Sequence, residues 1–271
     1  MPSTLFASTT AHVAEVVLRS PGKGNAMGPD FWREVPGVMQ ALHDDEAVRC
    51  ILVRGQGGHF SYGLDLMGMA PELQAYLAAT PTHAERKKLL KLIELMQSSF
   101  DQMANGAKPV IAAVTGWCIG GGMDLIAACD VRLATKDAKF SVREVKMAIV
   151  ADMGSLARLP AIIGQGATRE LALTGDDVDA ARAKELRLVS KVLATPAELF
   201  TEAHAMAARI AANPPRVVEG IKQVLNVVSE RDARASLEYV AVWNSAFMPS
   251  NDLMEAMGSF LERRPPTFTG T

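Results

Sequence analysis

Between Pro109 and Asp130 the chain reads PVIAAVTGWCIGGGMDLIAACD: an apolar run, three consecutive glycines, an acid and a second apolar run. In the first run Val110, Ile111 and Val114 crowd behind Pro109 without helical spacing, the pattern of a buried strand. The second, Met123 to Cys129, is built from Ala, Leu, Ile and Met and suits a buried helix. Gly120, Gly121 and Gly122 therefore fall on a strand-to-helix turn, where missing side chains let a ligand approach the backbone. A helix start also points unpaired N–H groups and the positive end of its dipole outward. Such a turn can hold a phosphate or stabilise a developing oxyanion. Three glycines alone do not say which.

The surrounding chain supplies the rest of an α/β pattern. Strand-like runs occur at 12–19 and 48–55, DVRLAT and AKFSV read as short β pieces, and LRLVSKVL as one more strand. The stretch 28–45 reads as a helix with Pro29 in its first turn, and Pro36–Gly37 is expected to interrupt or kink it. Residues 72–105 are mostly helical in pattern, and beyond Asn213 three helical stretches are expected, at 214–228, 232–247 and 252–263. Alternating β and α elements followed by helices argue an α/β core, residues 1–212, with a helical C-terminal region, residues 213–271. ANPPR, at the junction, is the one plausible hinge.

Composition narrows the function. A net charge of −2 with no Lys/Arg stripe gives no reason to expect nucleic acid as a partner. No apolar run reaches membrane-spanning length, and the first twenty residues lack the features of a leader, so a cytoplasmic protein without a membrane partner is expected. Three cysteines without C-x-x-C and five scattered histidines suggest neither a disulfide framework nor a metal site.

A second glycine-rich loop, Gly55 to Asp65, also follows an apolar strand and leads into a helix-like stretch. Two such loops on adjacent parallel strands could aim two backbone N–H groups at one carbonyl oxygen, as acyl chemistry requires. Three acids lie nearby in sequence or in apolar company: Asp124 just past the glycines, Glu144 in FSVREVKM and Asp152 in IVADMGS. Asp152 could simply cap the helix that follows it. Carboxyls in apolar surroundings hold their protons more tightly and become useful proton carriers near neutral pH.

At these residues the chain resembles a known family. KPVIAAVTGWCIGGGMDLIAACDVRLAT is similar to the signature of the enoyl-CoA hydratase/isomerase (crotonase) superfamily, and RSPGKGNAM and FSYGLDLMGM resemble its CoA-side segments. Within it the three acids resemble the dienoyl-CoA isomerase pattern. The resemblance implies a ββα superhelix and isomerisation of 3,5-dienoyl-CoA to 2,4-dienoyl-CoA in fatty-acid beta-oxidation. It implies an oxyanion hole from the N–H groups of Leu64 and Gly121, and a substrate path along Gly63, Leu64, Asp65, Leu66, Met67, Gly121 and Gly122. No separate cofactor is implied, because coenzyme A is part of the acyl-CoA thioester substrate.

In hydratases of the superfamily the positions of Asp124 and Glu144 are typically both glutamate, serving one water. In the isomerisation a proton leaves carbon 2 and another arrives at carbon 6, about 5 Å further along the chain. Two fixed carboxyls serve both ends without moving. By analogy Glu144 is assigned to carbon 2 and Asp152 to carbon 6, although the two could be exchanged, with Asp124 as the partner that sets the charge state of Glu144. A 2-enoyl-CoA hydratase is the alternative within the fold. The resemblance further implies a homotrimer or dimer of trimers; independently, Leu237, Val240, Trp243, Asn244 and Phe247 recur at helical spacing, a stripe that suits either a subunit contact or the cover of its own core. A different chemistry is suggested by GWCIG, which fits a nucleophile elbow with Cys118, but the only histidine downstream is His204.

Overall fold

The computed structural model describes residues 4–20, 23–74, 82–247 and 250–266. The chain opens with an antiparallel hairpin, β1 (Leu5–Thr10) and β2 (Val13–Leu18). Its two turn residues, Ala11 and His12, both have positive φ, the geometry of a tight hairpin, but neither is a residue that announces one. Helix α1 (Pro29–Asp44) leads to β3 (Cys50–Gly55), followed by α2 (Leu66–Gln74), α3 (His83–Asn105) and β4 (Val110–Val114). Then come β5 (Trp117–Ile119), α4 (Gly121–Ala127), β6 (Val131–Thr135), β7 (Lys139–Ser141), α5 (Ser155–Thr174), β8 (Val178–Asp179), α6 (Ala180–Glu185) and β9 (Lys191–Leu193). Helices α7 (Pro196–Ala211), α8 (Pro215–Phe247) and α9 (Asn251–Glu262) complete the described chain.

Six strands form one sheet in the order β1-β2-β3-β4-β6-β9, parallel except for the first pair. A second, narrower layer grows beside it: Met27 bridges Leu64, Ser61 bridges Cys118, and β5 pairs with β7. Four successive turns of chain thus each place one strand in the large sheet (β2, β3, β4, β6) and a short extended piece in the small layer. This is the expected ββα superhelix. It brings the two glycine loops side by side, because β3 and β4 are parallel neighbours.

The sheet is covered on both faces, as parallel strands require. Along β3, Ile51 and Val53 join the main core while Cys50 and Leu52 face the other way, the period of two expected of a strand. That other face is closed by Leu199, Ala203, Ala207 and Ala211, spaced four apart along α7. On the main face Phe31, Trp32 and Phe100 pack edge to face, with Trp32 and Phe100 centroids 5.5 Å apart.

Two local expectations are corrected. Pro36–Gly37 does not interrupt α1. Phe31, Trp32, Val35 and Met39 are buried on either side of the proline, and that packing offsets the backbone hydrogen bond it cannot make. The separate helices expected at 214–228 and 232–247 are one, α8, since the intervening Ser229–Glu230–Arg231 contains no helix breaker. The start of α8 is pinned by ion pairs of two buried lysines, Lys108 to Glu219 and Lys222 to Asp130, each at 2.9 Å.

Candidate active site

The two amides expected to form an oxyanion hole are placed by the extended pieces of the small layer. Met27 N donates to Gly63 O at 2.7 Å and Asp65 N donates to Met27 O at 3.0 Å. Alternation along an extended chain then turns the intervening Leu64 N–H away from Met27, toward the glycine turn. Gly121 is the first residue of α4, so its N–H has no acceptor within the helix. The two segments touch closely. A Cβ added at Gly63 would stand 2.8 Å from the Gly121 nitrogen, and one added at Gly121 would stand 3.7 Å from the Leu64 nitrogen.

Each glycine of the triplet has its own reason. Gly120 takes φ 54°, ψ −124°, a backbone setting that side chains oppose, and a Cβ there would lie 3.6 Å from Glu144 Oε1. Gly121 lies against Met27 Sδ and Gly63, while Gly122 packs on Ser61, whose carbonyl oxygen would be 2.9 Å from an added Cβ. Asp65 begins α2: its Oδ1 accepts from Gly68 N at 2.9 Å. Leu66 is half-buried and Met67 exposed at the start of the same helix.

The acids meet behind the glycine turn. Asp124, buried on α4, accepts on Oδ1 from both Ser155 N and Ser155 Oγ, each at 2.6 Å. The side chain that caps α5 is thus Asp124, and Asp152, three residues ahead of that helix, is free for another task. Glu144 opens a 3-10 turn, Glu144–Met147, and its carboxyl lies in hydrogen-bonding reach of Asp124. Its Oε2 is enclosed and has no hydrogen-bond partner among the described residues.

Burial, then the charge of Asp124, pushes Glu144 well above the usual carboxylate range. Burial also raises Asp124, against the two Ser155 donors that favour its charged form. Asp152 is pushed up to about 7 by burial, with an Asn244 hydrogen bond opposing and the Asp124 charge adding to the rise. Carboxyls kept partly protonated at neutral pH are equipped to take and return protons.

The sequence-derived elbow fails on the same geometry. Cys118 is fully buried in β5 and burial raises its thiol well above the ordinary value. His204 sits on α7, its Nε2 2.8 Å from Glu15 on β2. What sequence reasoning missed was the support: Ser155 under Asp124, and Gln97 and Asn244 around Asp152. Of the two readings of the α8 stripe, contact face or cover of its own core, Asn244 fits the second: it is buried and bonded to Asp152. Leu237 is half-buried, and the side chains of Val240, Trp243 and Phe247 lie outside the described residues.

The enoyl-CoA hydratase/isomerase family profile matches residues 8–271. The chain belongs to this family. Members similar to it include a protein from Dictyostelium discoideum named Delta(3,5)-Delta(2,4)-dienoyl-CoA isomerase, mitochondrial, 41% identical over 94% of this chain and 87% of the relative. The Arabidopsis thaliana protein named as the peroxisomal form is 38% identical over 96% of this chain and 94% of its own. Among solved family structures, an enoyl-CoA hydratase/isomerase from Mycobacterium paratuberculosis is 28% identical, with a TM-score of 0.83 over 96% of this chain and 99% of the other. Within the enoyl-CoA hydratase/isomerase fold, then, the paired amides and the three acids sit on four different turns or helices gathered at one end of the parallel strands.

Proposed function

We propose that this protein isomerises 3,5-dienoyl-CoA to 2,4-dienoyl-CoA, a step of fatty-acid beta-oxidation. The names of its similar relatives support the reaction. The observation that carries it is the division of labour among the acids. Asp124 is committed to Ser155 and Glu144, while Asp152 stands apart on its own support with a proton affinity near neutrality. Two acids on one water would suit hydration. Two separately held proton carriers suit a shift of protons between distant carbons.

In this reading the thioester carbonyl oxygen accepts from Leu64 N–H and Gly121 N–H, and Gly63 to Met67 with Gly121 and Gly122 line the path of the acyl-CoA. Glu144, beside Gly120 and so near the carbonyl end, takes the proton from carbon 2. The electrons released from that bond run through the diene, the negative charge gathers on the carbonyl oxygen, and the two amides stabilise it. Asp152 gives its proton to carbon 6 as the conjugated 2,4-diene forms. In the empty site the Asp124 charge holds the proton of the pair on Glu144, so for Glu144 to start as base that proton must pass to Asp124, whose burial opposes its charge, as the substrate binds. No group beyond these residues and the CoA ester is needed for the step.

Assembly as a homotrimer or dimer of trimers fits a second feature. Val217, Ile221, Val224 and Leu225 recur along one stripe of α8 and are all more than half exposed. The test of function is a pair of substrates in deuterated water. With a 3,5-dienoyl-CoA the enzyme should produce the 2,4-diene absorbance and place deuterium at carbon 6. Asp152→Asn should lose at least 100-fold in that rate while retaining CoA-ester binding. Rapid loss of 2-enoyl-CoA absorbance, without any diene shift, would refute the proposal in favour of hydration.

A further inference from the structure

We infer that Asn244 of α8 is a positioning residue for Asp152, its amide fixing the orientation of the carboxyl and donating a hydrogen bond that favours the charged form. The inference rests on the isomerase reading only for its effect on turnover.

Both N–H bonds of the Asn244 amide are used. Nδ2 donates to Asp152 Oδ2 at 2.7 Å and to Val150 O at 2.9 Å. The amide cannot be reversed, because the Val150 carbonyl only accepts, so the NH2 group must face both partners. Asn244 is almost fully buried, where an unpaired amide would be costly. The backbone of Asp152 is held as well: Gln97 of α3 donates to Asp152 O at 2.6 Å and to Leu237 O of α8 at 3.4 Å. Asp152 is thereby gripped by two amide side chains, one on its main chain and one on its carboxyl. The carboxyl is left with Oδ1 as the oxygen not engaged by Asn244.

The charged surroundings make the Asn244 donor matter. Asp124 of α4 faces Asp152 as a like charge, and Glu144 on its 3-10 turn feels Asp152 in the same way. The guanidinium of Arg158 on α5 lies against Met153 O at 3.5 Å but is paired with Asp101 of α3 at 2.6 Å. Residues 240–248 of the sequence, around Asn244, contain no titratable side chain. Asn244 is therefore the side-chain donor that opposes burial and acidic neighbours at this carboxyl, and it reaches the site from a helix 92 residues away in sequence.

The experiment follows the Asn244 side-chain NH2 resonances of the whole protein by NMR through a pH titration. They should move with a midpoint near 7 in the wild type and stay still in Asp152→Asn. In Asn244→Leu the Asp152 carboxyl band in infrared difference spectra, identified by its loss in Asp152→Asn, should titrate at higher pH, with a roughly tenfold gain in proton affinity. The matching limb of the kcat profile should move the same way with KM unchanged. A descending limb marks Asp152 as proton donor and an ascending limb marks it as base. Static Asn244 resonances in the folded wild type, or an unmoved carboxyl midpoint in a folded Asn244→Leu, would overturn the inference. The spectroscopic arms need no turnover: a wild type that titrates as expected yet converts no diene would fail the isomerase reading alone.

Discussion

Replacing Gly63 by alanine tests the oxyanion pair without touching an acid. Gly63 has φ +79°, and its added Cβ would stand 2.7 Å from Ile119 O and 2.8 Å from Gly121 N. Holding an alanine in the left-handed region costs about 1–2 kcal/mol. The clash adds to this, because both atoms it meets are backbone and no side chain can swing aside. Restoring ordinary contact at about 3.4 Å requires the Gly63 and Gly121 segments to part by roughly 0.6 Å. Those segments carry the two amides, so the gap between Leu64 N–H and Gly121 N–H widens by a comparable amount. Loss of one such donor costs about 100- to 1,000-fold in kcat, and misplacement of reacting groups by about 1 Å costs on the order of 100-fold. Gly63→Ala should therefore lower kcat for a 3,5-dienoyl-CoA by about 100-fold and reduce the melting midpoint by a few degrees. Stopped-flow absorbance of the diene and a thermal melt measure the two effects. A variant with kcat within threefold of wild type and an unchanged melt would refute the placement of the hole between these loops.

Other outcomes follow from the same structure. The folded pKa of Asp152, about 7, is raised above its unfolded value of 3.8, so its contribution to stability is full below the unfolded value and lost as pH rises through the folded one. Wild type should lose about 3 kcal/mol relative to Asp152→Asn between pH 5 and pH 8 in urea unfolding, and a constant difference would contradict the burial of this acid. Ser155→Ala removes one of the two donors to Asp124 and should cost about 1–3 kcal/mol in the same assay. Iodoacetamide should leave activity intact, since Cys50, Cys118 and Cys129 are all buried, and rapid inactivation would point to a nucleophilic thiol. Val224→Asp, in the exposed α8 stripe, should lower the mass seen by light scattering at micromolar concentration, whereas a wild type already monomeric there would remove the basis for a trimer.

The local chemistry was legible in the sequence wherever neighbours in the chain are neighbours in space. The strand before Gly120, the helix after it, the glycine loop leading to Leu64 and the apolar company of Asp152 are all such features, and with the family resemblance they pointed to the candidate oxyanion amides and to the three acids. The four-turn superhelix had no sequence repeat to betray it, because its short layer is joined in part by single bridges, Met27 to Leu64 and Ser61 to Cys118, and elsewhere by strands of two or three residues. A bridge of one residue imposes no periodicity. Helix α8, expected as two helices, is continuous, and the spacing of Asn244 suited a subunit contact and a self-covering face alike. Only tertiary structure decided that Asp124 caps α5 by accepting from Ser155 and that Asn244 holds Asp152. A buried carboxyl takes its proton affinity from whatever donors and charges the fold brings against it, and those partners lie 31 and 92 residues away along the chain.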